Sequence, residues 1–171
     1  MIDFEKLSKK ELLKILDTYA KAWQAMDSCY FLALEEKYGI DVAIEMDIAA
    51  WKRFSPIEAN RIMREFRIAQ NSGLEGLKKA LQYRVYARLN KQTIEDVDDN
   101  RFIFRMNECR VQVARKRKGL PDFPCKPVGI VEYTEFARTI DPRITTRCIA
   151  CPPDPHPEEY WCAWEFAIEL D

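Results

Sequence analysis

The chain has 171 residues, with 47% hydrophobic side chains and 27 basic against 28 acidic groups, a formal net charge of -1. That length allows one sizeable core, and the apolar share is that of a globular protein rather than a disordered tail. The near balance of charge excludes a general attraction to nucleic acid or to an anionic membrane surface. No apolar run reaches the length of a membrane span, and Met1-Ile2-Asp3-Phe4-Glu5-Lys6 carries no secretory h-region, so a cytoplasmic location is expected. In that compartment six cysteines are expected as thiols or metal ligands, with a disulfide framework the less favoured alternative.

The first half reads as helix. Ser8-Lys9-Lys10-Glu11 is a capping box, in which the serine hydroxyl accepts from the backbone three residues on and the glutamate reaches back. Leu12, Ile15 or Leu16, Tyr19, Trp23, Met26, Tyr30 and Leu34 then recur at helical spacing until Gly39, a C′-type residue. The spacing predicts one helix of about 30 residues, long by ordinary standards, with a break near Asp27-Ser28 allowed. Asp41 is expected to cap a second helix carrying Val42, Met46, Ala49 and Ala50. Ser55-Pro56-Ile57-Glu58 and the pair Ser72 and Glu75 read as two further boxes. They would open a third helix through Ile62, Met63 and Phe66, and a fourth through Leu77, Leu81, Val85 and Leu89. The boxes give Glu11, Glu58 and Glu75 structural work.

After Asn90 the pattern changes. Residues 94–97 and 101–106 are short runs around the turn signal Asp98-Asp99-Asn100, which predicts a hairpin. Cys109 to Lys118 is ambiguous: Cys109, Val111 and Val113 alternate like a strand, while Val111, Ala114 and the closing Gly119 suit a helix. Leu120 to Pro127 is a Pro-rich loop holding Cys125. Val128 to Ile140 reads as a helix ended by Asp141-Pro142. Two strands, 143–149 and 160–168, then enclose a loop stiffened by four prolines.

That loop is where the chemistry concentrates. Cys148, Cys151, His156 and Cys162 stand in the spacing C-x2-C-x4-H-x5-C, and His156 is the only histidine of the chain. Thiolate and imidazole donors suit zinc, and a set of thiolates equally suits an iron–sulfur cluster. Cys109 and Cys125, each beside a turn, can complete a ligand set. The last gap is one residue longer than in a retroviral-type zinc knuckle, and the loop joins strands of a larger domain, so the knuckle reading is set aside. The plain alternative makes Cys109, Cys148 and Cys162 small buried hydrophobes, and Cys29, within the first helix, fits that best. A second chemical reading makes Cys151 or Cys162 a nucleophile with His156 as its base.

Other candidates are weaker. Asp27 shares a helix face with Trp23 and Tyr30, and Asp47 one with Ala43, Ala50 and Trp51. Each could hold a ligand's cation or a metal, or simply pair with an arginine. Arg110, Arg115, Lys116, Arg117 and Lys118 read as a solvated helix end rather than a nucleic-acid site. Arg143 and Arg147 flank the cysteine loop and could take a ligand carboxylate in two-point geometry.

Several phrases carry a resemblance. They are Arg105-Met106 with Cys109-Arg110-Val111-Gln112, Gly119 to Lys126, Glu132-Tyr133-Thr134 with Phe136-Ala137-Arg138, Ile140-Asp141-Pro142-Arg143, and Cys148 through Phe166. With Trp23-x3-Asp27, Glu35-Glu36-Lys37-Tyr38-Gly39 and Trp51, they resemble an uncharacterised family of cytosolic proteins from anaerobic bacteria and archaea. At a greater distance, the order Cys109, Cys125, Cys148, Cys162-x-Trp164-Glu165-Phe166 is similar to the L-2-amino-thiazoline-4-carboxylic acid hydrolase-like family and to the 4-vinyl-reductase small-molecule-binding domain. Those resemblances imply an α+β domain with an antiparallel sheet, a ligand cavity and functional cysteines, and they favour helix over strand for 110–118. The Pro-rich insertion between Cys151 and His156 departs from the hydrolase-like pattern.

The expected fold is α+β in a single domain: about four N-terminal helices over 1–90, beside a Cys-rich part over 91–171 with a small, mainly antiparallel sheet and one or two helices. The expected function is a metal-bearing protein, with zinc or an iron–sulfur cluster, that binds a small-molecule ligand as sensor or accessory factor. Its metal ligands would come from Cys109, Cys125, Cys148, Cys151, His156 and Cys162; its ligand-binding residues would be Arg143, Arg147, Asp27 and Asp47. No nucleic-acid or membrane partner is expected, and an oligomer is left open. The alternatives are a cysteine-dependent hydrolase of a small cyclic amide or thiazoline, and a metal-free interaction module presenting Trp51, Trp161 and Trp164.

Overall fold

A computed structural model describes residues 2–169. A 3-10 turn at Phe4–Lys6 precedes α1 (Lys9–Tyr38), α2 (Ile40–Phe66), α3 (Gly73–Leu81) and α4 (Val85–Leu89). Then come β1 (Lys91–Asp98), β2 (Arg101–Glu108), α5 (Arg110–Arg117), α6 (Lys126–Ile140), β3 (Ile144–Ala150) and β4 (Cys162–Ile168). The class is α+β, as expected. The chain forms two compact units, one up to Ala43 and one from Ile44 onward.

The first unit is built on α1, 30 residues without a break. Its start is the expected capping box: Glu11 N–H donates to Ser8 Oγ and Ser8 N–H to Glu11 Oε2. Gly39, at φ 85°, ends it with a conformation that costs glycine little. The next helix starts at once at Ile40, so Asp41 lies inside its first turn rather than at the cap. Cys29, expected to be buried, is exposed.

In the second unit α2 runs straight through Ser55-Pro56, where the sequence suggests a new helix. Proline inside a helix forfeits one hydrogen bond and costs about 3 kcal/mol. Here the stripe Trp51, Ser55, Ala59, Ile62 and Met63 is buried on both sides of the proline, and that burial holds the helix together. The serine hydroxyl is buried without a partner, so no box forms. The Ser72–Glu75 box is also absent. Gly73 N–H, at the start of α3, instead donates to Asp141 Oδ2 at 3.0 Å, while Glu75 pairs with Lys78. A carboxylate 68 residues away therefore does the capping that local spacing assigns to Ser72.

Asp141 is a junction. It is fully buried, accepts from Arg143 Nε at 3.0 Å and Nη2 at 2.6 Å, and accepts from the Arg143 backbone N–H. Those Arg143 bonds outweigh burial and hold its carboxyl at about 2. A pKa lowered on folding stabilises the fold above the unfolded value near 4 and is lost as pH falls through about 2. Asp141→Asn is expected to cost on the order of 2 kcal/mol at pH 7, and urea titrations should show the gap to wild type closing as pH falls below 4.

The sheet has the order β1-β2-β4-β3, antiparallel throughout. The expected hairpin turn joins β1 to β2 at residues 99–100. Period-two alternation puts Phe102, Phe104 and Met106 of β2 beside Phe166, Trp164 and Cys162 of β4 on one face. The α6 stripe Val128, Gly129, Glu132, Tyr133, Phe136, Ala137 and Ile140 is buried, and Tyr133 packs its ring against Phe104, Trp164 and Phe166. A Cβ on Gly129 would lie 2.6 Å from the Trp164 ring, so only glycine allows this approach of helix to sheet. On the other face, Arg105 pairs with Glu95 and Arg147 with Glu165.

Candidate functional site

Five of the six cysteines lie on segments that meet at one end of the sheet. Cys109 follows β2 and precedes α5, where Asn90 Oδ1 accepts from Arg110 N–H at 2.9 Å and fixes the chain's change of direction. The ambiguous segment is helix, 110–117, with Gly119 at φ 68° closing it. Cys125 precedes α6, and its carbonyl accepts from Gly129 N–H at 2.8 Å in the first turn. Cys148 lies in β3 opposite Trp164, a bulge follows it, and Cys151 leaves the strand end. Cys162 opens β4 opposite Met106.

Long-range backbone bonds lock these pieces in place. Lys126 N–H donates to Pro152 O at 2.9 Å, joining the start of α6 to the residue after Cys151. Trp161 N–H donates to Met106 O at 2.8 Å, carrying the β2–β4 ladder up to Cys162. From α5, the fully buried Gln112 donates to Phe123 O at 2.8 Å and to Cys125 Sγ at 3.1 Å, and accepts from Phe123 N–H. Arg115 Nε donates to Pro121 O. The Pro-rich loop is thus clamped along one side of α5.

The thiols converge on Cys151, which is fully buried. Its sulfur is in hydrogen-bonding contact with Cys125 and Cys162, and Cys148 bonds to it in turn. Hydrogen bonds donated by its own S–H to Cys125 and Cys162, then burial, push the Cys151 thiol far up. Burial, with Cys125 and Cys162 nearby, pushes Cys109 up to about 12. Burial also raises Cys148, against the pull of Lys126. Burial, Glu132 and Cys162 together raise the Tyr133 phenol.

His156 has neighbours of its own in the loop. Its Nδ1 lies 2.8 Å from Pro157 O, and its ring rests 5.1 Å from that of Trp161. Arg143 is engaged by Asp141, and Arg147 by Glu165 at 2.9 Å. Asp27 is exposed on α1, with desolvation raising its pKa, and Asp47 is half-buried on α2. Of the three expected indole anchors, Trp51 and Trp164 belong to the core, and Trp161 is half-buried. Among the described residues, no group of three or more His, Cys, Asp or Glu side chains is placed so as to hold a metal ion as it stands.

The model of a family of unknown function, DUF6125, matches residues 5–168. The chain belongs to DUF6125. The match spans both the helical half and the thiol-bearing half of this DUF6125 member, so the resemblance to an uncharacterised family stands. It lends nothing to the more distant hydrolase-like and 4-vinyl-reductase resemblances. No curated protein and no solved structure is detectably similar. No helix among the described residues is long and apolar enough to cross a membrane.

A second polar cluster escapes the sequence entirely. Arg84, its side chain 2% exposed, donates through Nε to Glu58 Oε2 at 2.8 Å, with Nη1 2.7 Å from Glu132 Oε1. The rings of Trp51, Tyr86, Tyr133 and Phe136 surround the guanidinium, Phe136 at 4.6 Å. Burial opposes the charge, and Glu132 and Glu58 outweigh it, so the guanidinium is held charged.

Proposed function

We propose that Cys109, Cys125, Cys148, Cys151 and Cys162 bind a soft metal, as a zinc ion or an iron–sulfur cluster, in a protein that acts as a sensor or accessory factor. The observation that supports this reading is the contact of Cys151 with three other thiols drawn from separate segments. Buried neutral thiols gain little from gathering with one another, and a metal is the partner that takes several sulfurs at once. Four sulfurs complete a closed site, so one of the five is spare or serves a second geometry. Binding requires the thiols to rearrange, because among the described residues no three ligand side chains are placed to hold a metal ion as they stand. The imidazole stays outside this set.

A small-molecule ligand would enter beside β1, where a cavity of about 820 Å³ is lined by residues including Asn90, Gln92, Phe104 and Asn107. Gln92 Nε2 reaches Met106 Sδ at 3.7 Å, and Met106 is the cross-strand neighbour of Cys162, so an occupant there borders the thiol end of the sheet. The hydrolase reading gains no such support at Cys151: a thiol pushed upward is protonated at neutral pH and a poor nucleophile.

The test is metal analysis of protein purified without oxygen and then reconstituted with zinc or with iron and sulfide. The expected result is about one ion or cluster per chain, with about four thiols withdrawn from titration. Protein that loads neither, with every thiol titratable, would falsify the reading.

A further inference from the structure

Two of the gathered thiols also stand across one end of the sheet from each other. β3 and β4 are antiparallel, and their register ends with Ala150 opposite Ala163. Cys151 and Cys162 are the next residues along the two chains, so the same register sets them opposite each other. Opposed residues of an antiparallel pair keep their Cα atoms about 4.5–5.5 Å apart, inside the roughly 4.4–6.8 Å that a disulfide spans. Both cysteines are free thiols, and the Cys151 sulfur is already in hydrogen-bonding contact with that of Cys162.

The neighbouring thiols are placed less well for the same bond. Cys125 also touches Cys151, but its sulfur accepts from Nε2 of the fully buried Gln112 at 3.1 Å, which holds it on the α5 side. Cys148 lies further into β3, opposite Trp164 and beyond the bulge. Exposure then orders the chemistry. Cys151 is fully buried and Cys162 only partly, so a reagent from solution meets Cys162 first.

We propose that Cys151 and Cys162 form a reversible disulfide, with a low-molecular-weight disulfide, of which oxidised glutathione is the probe here, as the oxidant. Cys162 loses its proton and attacks one sulfur of the oxidant, and the other half leaves as a thiol. Cys151 then loses its proton and attacks Cys162 Sγ in the mixed disulfide, and the second half leaves as a thiol. Two S–H bonds and one S–S bond of the reactants become one S–S bond in the chain and two S–H bonds on the released thiols. Two electrons pass from the chain to the oxidant. The bond needs no metal and does not rest on the soft-metal reading. Where that reading holds, the bond leaves three of the five gathered thiols, fewer than a closed four-ligand site takes, so oxidation and metal loading exclude each other.

The test uses the full chain carrying Cys29→Ser, so that the exposed thiol of α1 takes no part. The protein is stripped of metal with a chelator and held with oxidised glutathione at about pH 8 for about an hour, the time scale of uncatalysed exchange. Alkylation and intact mass are expected to show two of the five remaining thiols lost to an internal bond. Peptide mapping should join Cys151 to Cys162, and dithiothreitol should restore both thiols. Cys151→Ala should stop at the mixed disulfide, with glutathione on Cys162, while Cys125→Ala and Cys148→Ala still close the bond. Five thiols that stay free, glutathione adducts without an internal bond, or a bond mapped to Cys125 or Cys148 would each overturn the proposal. Glutathione found on a thiol other than Cys162 in the Cys151→Ala chain overturns Cys162 as the point of entry.

Discussion

Replacing Arg84 by leucine is expected to cost this fold about 3–5 kcal/mol, the range for removing one partner of a buried ion pair. The side chain lies 2% exposed between Glu58 and Glu132, so its loss leaves two carboxylates in a site walled by aromatic rings, where neither water nor another cation replaces the guanidinium. The orphaned carboxylates can relieve themselves only by taking up protons. The folded variant then binds more protons than its unfolded chain, so the variant should become more stable as pH falls from 7 towards 5. Replacing all three charged residues together with Leu or Met should recover most of the loss, because hydrophobic isosteres of a buried ion triad are often neutral or better. Urea unfolding of the single and triple variants at both pH values measures this. A single variant within about 1 kcal/mol of wild type would mean that water enters the site.

That triad also shows where sequence reading stops. Ser55, three residues before Glu58, gives that glutamate the spacing of a capping residue. What the spacing cannot show is that α2 continues through Pro56 and turns Glu58 inward to an arginine 26 residues on. Ser72 and Asp141 repeat the lesson, since the nearer cap loses to a buried carboxylate 68 residues away. Signals that are local by nature hold: the capping box of α1, Gly39 and the β1–β2 turn are all set within a few residues of chain. The site was legible in the same proportion. Cysteines flanking turns point to one end of the sheet, but the spacing pairs Cys151 or Cys162 with His156, whereas in the fold it is Cys125 and Cys162 that act on Cys151. Gln112, which donates to both Phe123 O and Cys125 Sγ, has no periodic or motif signal at all.

Cys151 is the residue on which the soft-metal reading turns, and Cys151→Ala is expected to lower metal affinity by at least about 100-fold, whereas the exposed Cys29→Ala leaves it unchanged. The two substitutions remove the same sulfur atom, one from the point where four segments meet and one from the surface of α1. Apo-protein stability should separate them far less than metal binding does, because a buried thiol contributes little beyond its small apolar volume. The pH dependence carries a second signature. Metal takes thiolates, and in the metal-free fold Cys109 is held up at about 12, with Cys148 and Cys151 also raised. Each such ligand must give up a proton on binding, so apparent affinity should climb about tenfold per pH unit for every proton released, from roughly pH 6.5 to 8.5. Competition against a chromophoric chelator across that range reads both effects. Should Cys151→Ala hold zinc as tightly as wild type, or affinity stay flat with pH, the thiols around Cys151 are core packing and the metal, if any, sits elsewhere.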